Sequence, residues 1–174
     1  MQMERKKHFV DELKALLSGT ISEARTAELN AGELTASQHS EVRNREDVKA
    51  AAESGRMTQA HSQRRERAKR EVDALLQFSA NGLKVFRRDA PAGLGALVDV
   101  QIEEAETGET EERTFFILPV GAGAELEGPG GDGFLSVITP DSPVGKSLVG
   151  RRVGDSFETA IHGVEREWTL MDLA

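Results

Sequence analysis

The sequence contains no cysteine, which excludes disulfide bonds and cysteine-ligated zinc sites. Its four histidines are far apart and lack the spacing of metal ligands, so we expect no metal site held by this chain alone. The longest apolar run, residues 115–124, is shorter than the roughly 18–20 residues that a membrane span needs. The charged first residues lack the apolar core of a signal peptide. We therefore expect a cytoplasmic protein that does not enter the membrane.

Basic residues are fewer than acidic ones. The 174-residue chain has 22 Lys+Arg and 30 Asp+Glu, a formal net charge of −8 at pH 7. The imbalance lies in the second half, since residues 1–80 carry 14 basic and 13 acidic side chains, whereas residues 81–174 carry 8 and 17. An acidic surface repels nucleic acid. We therefore expect no direct binding to duplex DNA and favour a protein partner with a basic surface.

Proline and glycine are scarce in the first half. All five prolines follow residue 90, and only three of the 17 glycines precede residue 80. Apolar residues recur there at steps of three and four, which is typical of helices. They are Phe9, Leu13, Leu16, Leu17, Ile21 and Ala24 in a first pattern, and Val48, Ala51, Ala52, Gly55, Val72, Leu75 and Leu76 in a second, which is expected to mark the buried side of its helix. We predict an antiparallel helical hairpin (a coiled coil) over 1–79, with arms of roughly 30–35 residues and a tip near 38–47.

Alternating apolar and polar residues in the second half predict strands. They cover 82–88, 96–108 with a turn at Thr107-Gly108, and 113–121. The segments FLSVITP, SFETAIHG and VEREWTLMDL supply three more strands, and the last two are expected to form a closing hairpin. Ser142 as a cap and Pro143 at the first helical position predict a short helix. Five phenylalanines are expected in the core: Phe86, Phe115, Phe116, Phe134 and Phe157. The prediction is an α+β domain over 80–174, with an antiparallel sheet and one short helix.

The sharpest local pattern is ITPDSPVGKSLVGRRVGDSFET, residues 138–159. Ser142-Pro143 starts a helix, Leu148 packs it on the core, Gly150 ends it, and Gly154-Asp155 turns the chain into the next strand. Together with the preceding PVG and FLSVI, this unit resembles the C-terminal domain of the bacterial Gre transcript-cleavage factors, which has an FKBP-like fold. In that family the domain follows an antiparallel coiled coil, so the resemblance spans almost the whole chain.

The resemblance implies a transcription elongation factor that binds bacterial RNA polymerase. The globular domain would lie at the rim of the secondary channel, with Ser142, Pro143 and Gly145 as polymerase-binding positions, and the hairpin would reach towards the active centre. Tip carboxylates would help to hold a second Mg²⁺ and a water, close to the 3′ end of the nascent RNA. The cleavage chemistry then belongs to the polymerase, and this chain is not itself an enzyme.

The resemblance also suggests which tip residues hold the ion. The family tip presents an aspartate and, three residues later, a glutamate followed by asparagine. Spacing from the second helix puts Glu41 at the aspartate position and Asn44 at the glutamate position, where it offers only a neutral carbonyl oxygen. A shift of two or three residues makes Glu46 or Asp47 a ligand instead. The alternative is that these two acids simply favour the N-terminus of the second helix.

Charged residues elsewhere have two interpretations each. Arg43 and Arg45 contact RNA phosphate or an acidic polymerase surface, or are solvated loop residues. The basic run at 64–70 faces RNA or the channel wall, or forms the solvated side of a helix. The acids at 103–112 keep an exposed hairpin soluble, or contact a basic rim on a partner.

Four functions remain open at this point. The first is a channel factor that supports transcript cleavage; the second is a channel factor that regulates initiation or elongation without cleavage, which the neutral Asn44 favours. An FKBP-like prolyl isomerase or chaperone is disfavoured, because such pockets are lined by several aromatic residues. The fourth function, a coiled-coil adaptor, requires a sustained heptad seam. The apolar stripe fades after Ile21, which favours an intramolecular hairpin in a monomer instead.

Overall fold

The computed structural model describes residues 2–40, 45–131, 133–161 and 164–174, without the side chains of 35–40, 45, 160, 161 and 164. Three helices and six strands follow one another in this part of the chain. They are α1 (Gln2–Ser40), α2 (Arg45–Asn81), β1 (Leu97–Glu104), β2 (Thr110–Ile117), β3 (Glu125–Glu127), β4 (Phe134–Ile138), α3 (Pro143–Leu148), β5 (Ser156–Ile161) and β6 (Val164–Leu173). Two long helices followed by a sheet with one short helix confirm the predicted α+β class.

The long helices α1 and α2 form the predicted hairpin. They have 39 and 37 residues, slightly more than the sequence pattern predicted. Glu28 of α1 and Arg65 of α2 form an ion pair at 2.5 Å. Small residues on the facing sides let helices approach closely, and four alanines are at most 7% exposed: Ala24, Ala31, Ala51 and Ala68.

The buried stripe of the hairpin is narrower than predicted. Leu16, Leu76 and Val48 are 48%, 43% and 56% exposed, and Ala52 is exposed as well. An alanine seam leaves little apolar volume between two helices, so larger side chains at the edges of the stripe remain in solvent. The prediction that the second pattern marks the buried side of its helix is therefore wrong at Val48, Ala52 and Leu76.

The six strands form one mixed sheet in the order β3-β4-β2-β1-β6-β5. The pairs β1–β2, β1–β6, β5–β6 and β3–β4 are antiparallel. Strands β2 and β4 are parallel, so the expectation of an entirely antiparallel sheet is wrong at this pair. The reason is β3, which the sequence pattern did not reveal. Strand β3 lies between β2 and β4 in the chain and runs antiparallel to β4, so β4 has the same direction as β2.

The sheet has an apolar layer on each face. On one face Leu148 of α3 packs in a cluster with Val98 and Trp168. On the other face the start of α1 covers the sheet, with the rings of Phe9 and Phe116 6.2 Å apart. The chain divides into two compact units, and residues 1–13 belong to the same unit as 74–174, while 14–73 form the other. The N-terminal end of α1 and the C-terminal end of α2 thus belong to the same unit as the sheet.

Two predictions about the second half are wrong. The strand predicted over 82–88 is absent, and residues 83–87 have no regular secondary structure. Phe134, predicted in the core, is 72% exposed. Strand alternation alone did not distinguish an apolar residue that packs inward from one that faces solvent.

A buried lysine joins the start of α1 to residues 84–95. Lys6 is fully buried, and its Nζ donates hydrogen bonds to the carbonyl oxygens of Lys84 at 2.6 Å and Gly95 at 2.7 Å. Nζ also lies 5.0 Å from the ring centroid of Phe86. Burial, and secondarily the nearby charge of Lys84, lowers the pKa of Lys6 from 10.5 to about 8.

This pKa predicts that the protein becomes more stable as the pH rises from 8 to 10.5. In that window the unfolded chain keeps the Lys6 proton while the folded chain releases it, so the free energy of unfolding increases with pH. The gain is roughly 3 kcal/mol, and it disappears as the pH falls through 8. Urea denaturation across this range should show a steeper rise for the parent than for Lys6→Met. Lys7→Met, at an exposed neighbour, is the control. Parallel curves for the parent and Lys6→Met would contradict the prediction.

Candidate functional site

The predicted tip lies between α1, which ends at Ser40, and α2, which begins at Arg45. Glu41, Arg43 and Asn44 lie outside the described residues, as does the side chain of Arg45. Their predicted roles at the tip therefore stay predictions.

Glu46 and Asp47 stand in the first turn of α2, as the sequence predicts. Glu46 is exposed and Asp47 is half-buried. Negative side chains stabilise a helix N-terminus because they face the positive end of the helix dipole. Both acids also take part in an interaction within the protein. This position gives them a structural role, and their carboxylate oxygens are the hard donors that Mg²⁺ prefers.

The basic run on α2 is only partly a solvated face. Arg65 is half-buried and pairs with Glu28 of α1, a contact that the sequence did not indicate. Lys69 donates a hydrogen bond to Glu66 at 3.0 Å. This bond, with the charge of Lys69, lowers the pKa of Glu66. The remaining arginines of the run are exposed: Arg64, Arg67 and Arg70.

The motif at 138–159 forms the predicted strand, helix, turn and strand, namely β4, α3 and β5. Ser142 caps α3, since its Oγ accepts a hydrogen bond from the backbone N–H of Gly145 at 3.1 Å. The same Oγ donates to the carbonyl oxygen of Thr139 at 2.7 Å. Pro143 occupies the first helical position. These contacts confirm the predicted start of the helix.

Gly145 sits where no side chain fits. It is buried, and a Cβ atom at this position would lie 1.9 Å from the carbonyl oxygen of Thr139. Among the three predicted polymerase-binding positions, Gly145 and Ser142 thus shape the loop, while Pro143 is exposed together with neighbouring Asp141 and Lys146. The surface available to a partner at this loop therefore comes mainly from these exposed residues.

The end of the motif also matches its prediction. Gly150, with φ +88°, follows the end of α3, and Gly154, with φ +92°, precedes Asp155 in the next turn. The Asp155 carboxylate accepts a hydrogen bond from the backbone N–H of Arg152 at 2.8 Å. Positive φ is costly for residues other than glycine. The loop is thus held by its own local contacts.

The burial of Lys6 was not predicted from the sequence. The signal that was available is its position three residues before Phe9, on the side of α1 that faces the sheet. A lysine within a charged N-terminal segment is normally exposed, so this spacing alone did not predict that Lys6 is buried.

Within the described residues, no three His, Asp or Glu side chains come together as a metal-binding group. Nor does any helix in the described part of the chain have the length and apolar character needed to cross a membrane.

Solved structures similar to this chain include transcription factors. GreA factor homolog 1 (Gfh1) of Thermus thermophilus is 20% identical with a TM-score of 0.35, over 92% of this chain and 94% of that one. Gfh1 of Thermus aquaticus is 18% identical with a TM-score of 0.32, over 91% and 92%. The prokaryotic transcription elongation factor GreA/GreB from Nitrosomonas europaea is 17% identical with a TM-score of 0.33, over 59% and 78%. No family model and no curated protein matches the chain.

Proposed function

We propose that this chain is a Gre-type elongation factor that binds bacterial RNA polymerase in the cytoplasm and acts through the secondary channel. The observation that carries the proposal is the position of the Gre-like motif. Residues 138–159 form β4, the Ser142-capped α3, a glycine turn and β5, and they follow a hairpin of two long helices. This is the order of elements that the sequence resemblance implies.

In this proposal the two parts of the chain have different tasks. The sheet domain binds at the channel rim, with the exposed residues of the Ser142 loop at the contact. The hairpin carries its tip towards the active centre and the 3′ end of the RNA. A single copy is sufficient, and the covalent chemistry stays with the polymerase.

The tip contributes oxygen ligands. Glu41, with Glu46 or Asp47, offers carboxylates to an Mg²⁺ shared with the polymerase, and hard oxygen donors suit this ion. When bound, the ion activates a water and stabilises the charge that develops at the cleaved phosphodiester. The role of this chain is to place the carboxylates and, through Arg43 and Arg45, to hold the RNA phosphate.

A second function, regulation without cleavage, is favoured by one observation. The resemblance puts Asn44 where the family has a glutamate, and an amide oxygen attracts a cation less strongly than a carboxylate. In this version the hairpin enters the channel and changes initiation or elongation by its presence alone.

The test uses a backtracked bacterial elongation complex with end-labelled RNA and Mg²⁺. We expect the protein to accelerate shortening of the RNA, and Glu41→Ala or Asp47→Ala to slow this reaction by about tenfold, since metal-site substitutions have effects of this size. Glu53→Ala, an exposed acid further along α2, is the matched control.

The outcomes separate the two functions from each other and from the alternatives. Binding to the polymerase without RNA shortening would identify a non-cleaving regulator. Parental activity in both tip variants removes the ligand assignment, and absence of polymerase binding removes the whole proposal. Measurable prolyl isomerisation or a stable dimer through the helices would revive the isomerase or the adaptor.

A further inference from the structure

The middle of the helical hairpin has a polar seam. Between the buried Ala51 and Ala68, the partly buried side of α2 contains no large apolar residue. Its members are Ser54, Gly55, Thr58, His61, Ser62 and Arg65. In the middle of α1 the buried residues are Ala24 and Ala31. Interlocking large side chains fix the register of a coiled coil, so this small and polar seam offers little resistance when one helix slides along the other.

An ion pair crosses this seam. Nη1 of Arg65 lies 2.5 Å from Oε2 of Glu28, and the two side chains are 25% and 22% exposed. Oε2 of Glu28 and Nε of Arg65 are buried atoms without a hydrogen-bond partner among the described residues. The opposite charge therefore compensates for their removal from water, and loss of either partner would leave an uncompensated charge in the seam.

Arg65 is also held from its own helix. Its Nε lies 3.5 Å from Oε1 of Glu66, which in turn accepts a hydrogen bond from Lys69 at 3.0 Å. Charges on α2 thus orient the guanidinium while it reaches Glu28 on α1. This engagement distinguishes Arg65 from the exposed arginines of the basic run, which face solvent.

The proposed ligands of the tip come from both arms of the hairpin. Glu41 follows the end of α1 at Ser40, whereas Glu46 and Asp47 belong to the first turn of α2. Roughly 18 Å of helix separates Glu28 from Ser40. A slide of one turn moves an arm by about 5.4 Å, whereas Mg²⁺ holds its oxygen ligands at about 2.0–2.1 Å. These carboxylates therefore converge only when the register of the two helices is fixed.

We propose that Glu28 and Arg65 are positioning residues, whose ion pair fixes the register of α1 and α2 and thereby brings the tip carboxylates together. Polar groups within a helical seam have this role in coiled coils, where they specify the register at a cost in stability. The inference rests on the proposed function, because it assigns the pair a task at the same tip. Neither side chain touches the ion or the RNA, and both act through the tip.

The first measurement is the distance between two spin labels on the full-length protein, without polymerase. The chain has no cysteine, so Asn30→Cys/Gln59→Cys adds one labelling site to each helix at exposed positions. We expect a narrow distance distribution in this labelled parent. Glu28→Arg or Arg65→Glu places like charges in the seam and should broaden the distribution. The combined exchange Glu28→Arg/Arg65→Glu should restore it.

The second measurement is RNA shortening on the backtracked elongation complex. With the polymerase saturated, each single reversal should slow shortening at least about tenfold, because small misplacements at a reacting centre have effects of this size. The chain concentration that gives half of the maximal rate should not change, because the proposed polymerase contact lies in the sheet domain. The combined exchange should restore the rate. An Arg65 that acted by binding RNA or the channel wall would not be rescued by Glu28→Arg.

Arg67→Glu is the control, because it makes the same charge change at an exposed position of α2. It should leave the distance distribution unchanged. The helical circular dichroism signal and the fluorescence of Trp168 show whether each variant is folded. If a reversal lowers the helical signal, Glu28→Gln takes its place, since it removes the charge and keeps the size of the side chain, and it should also broaden the distribution.

The outcomes separate this inference from the proposed function. A parental distance distribution in the single variants, or no restoration by the exchange, would overturn the register assignment and leave the proposed function intact. Broadening together with parental rates of RNA shortening would also overturn it, because the register would then have no effect at the tip. Absence of RNA shortening by the parent, with the expected distances, would instead overturn the cleavage function and with it the task assigned at the tip.

Discussion

Gly145→Ala is expected to destabilise the sheet domain by about 3–5 kcal/mol. The new Cβ atom would lie 1.9 Å from the carbonyl oxygen of Thr139, far inside contact distance. That oxygen accepts hydrogen bonds from the backbone N–H of Ser142 at 3.0 Å and from its Oγ at 2.7 Å. Moving the carbonyl away from the methyl group therefore breaks the two hydrogen bonds by which Thr139 holds Ser142, the capping residue of α3.

The surrounding structure leaves little room for the helix to move instead. Leu148 of α3 is fully buried in the main core cluster, and the N–H of Val149 donates to the carbonyl of Gly145 at 2.9 Å. Overpacking costs about 1–3 kcal/mol, and each lost hydrogen bond costs about 1 kcal/mol. The expected loss is the sum of these effects.

The single tryptophan makes this prediction easy to measure. Trp168 is buried in β6 and stacks on Phe115, so its fluorescence follows unfolding of the sheet domain. Lys146→Ala, at an exposed site of α3, should leave the transition unchanged. Gly19→Ala, where a Cβ atom meets nothing within 4 Å, should stabilise α1 by roughly 0.5–1 kcal/mol. A Gly145→Ala transition equal to that of the parent would show that the loop tolerates a side chain.

The sequence predicted best those elements whose signals are local. Ser142, Pro143 and Gly154 specify a cap, a first helical turn and a tight turn within a few residues, and all three are confirmed. The two long helices were also predictable, because their apolar residues repeat with a helical period over many turns. The antiparallel pairing of β5 and β6 followed from their short connection in the same way.

Features that depend on distant residues were not predictable. Strand β3 has only three residues, too few for an alternating pattern, and without it the parallel pairing of β2 and β4 does not follow. Lys6 is buried only because the carbonyls of Lys84 and Gly95 lie beside it. Pairings of this kind are decided by the tertiary fold.

Prediction of the tip ligands from the sequence is limited by a different factor, the length of the loop. Its acids occur within seven positions, from Glu41 to Asp47, and one residue of loop length changes which carboxylates converge. Glu46 and Asp47 also satisfy the N-terminus of α2. A sequence pattern that meets two requirements at once cannot separate them, so the register has to be measured through activity.

Asn44→Glu is expected to raise the rate of transcript cleavage by about ten- to a hundredfold, if Asn44 occupies the family's glutamate position. The variant places a second carboxylate three residues after Glu41 and so adds a charged oxygen ligand for Mg²⁺. Asn44→Gln is the matched control, because it lengthens the side chain equally without adding charge. The cleavage rate is measured on backtracked complexes saturated with each variant, so that differences in polymerase affinity do not contribute.

The two variants also decide the register of the tip. Faster cleavage with Asn44→Glu alone identifies Glu41 and position 44 as the ligand pair. An unchanged rate, together with strong loss in Asp47→Ala, assigns the second ligand to Asp47 and contradicts the register used here. Equal acceleration by Asn44→Gln would show that side-chain length matters rather than charge. Because the proposed polymerase contact lies in the sheet domain, all of these variants should bind the polymerase like the parent.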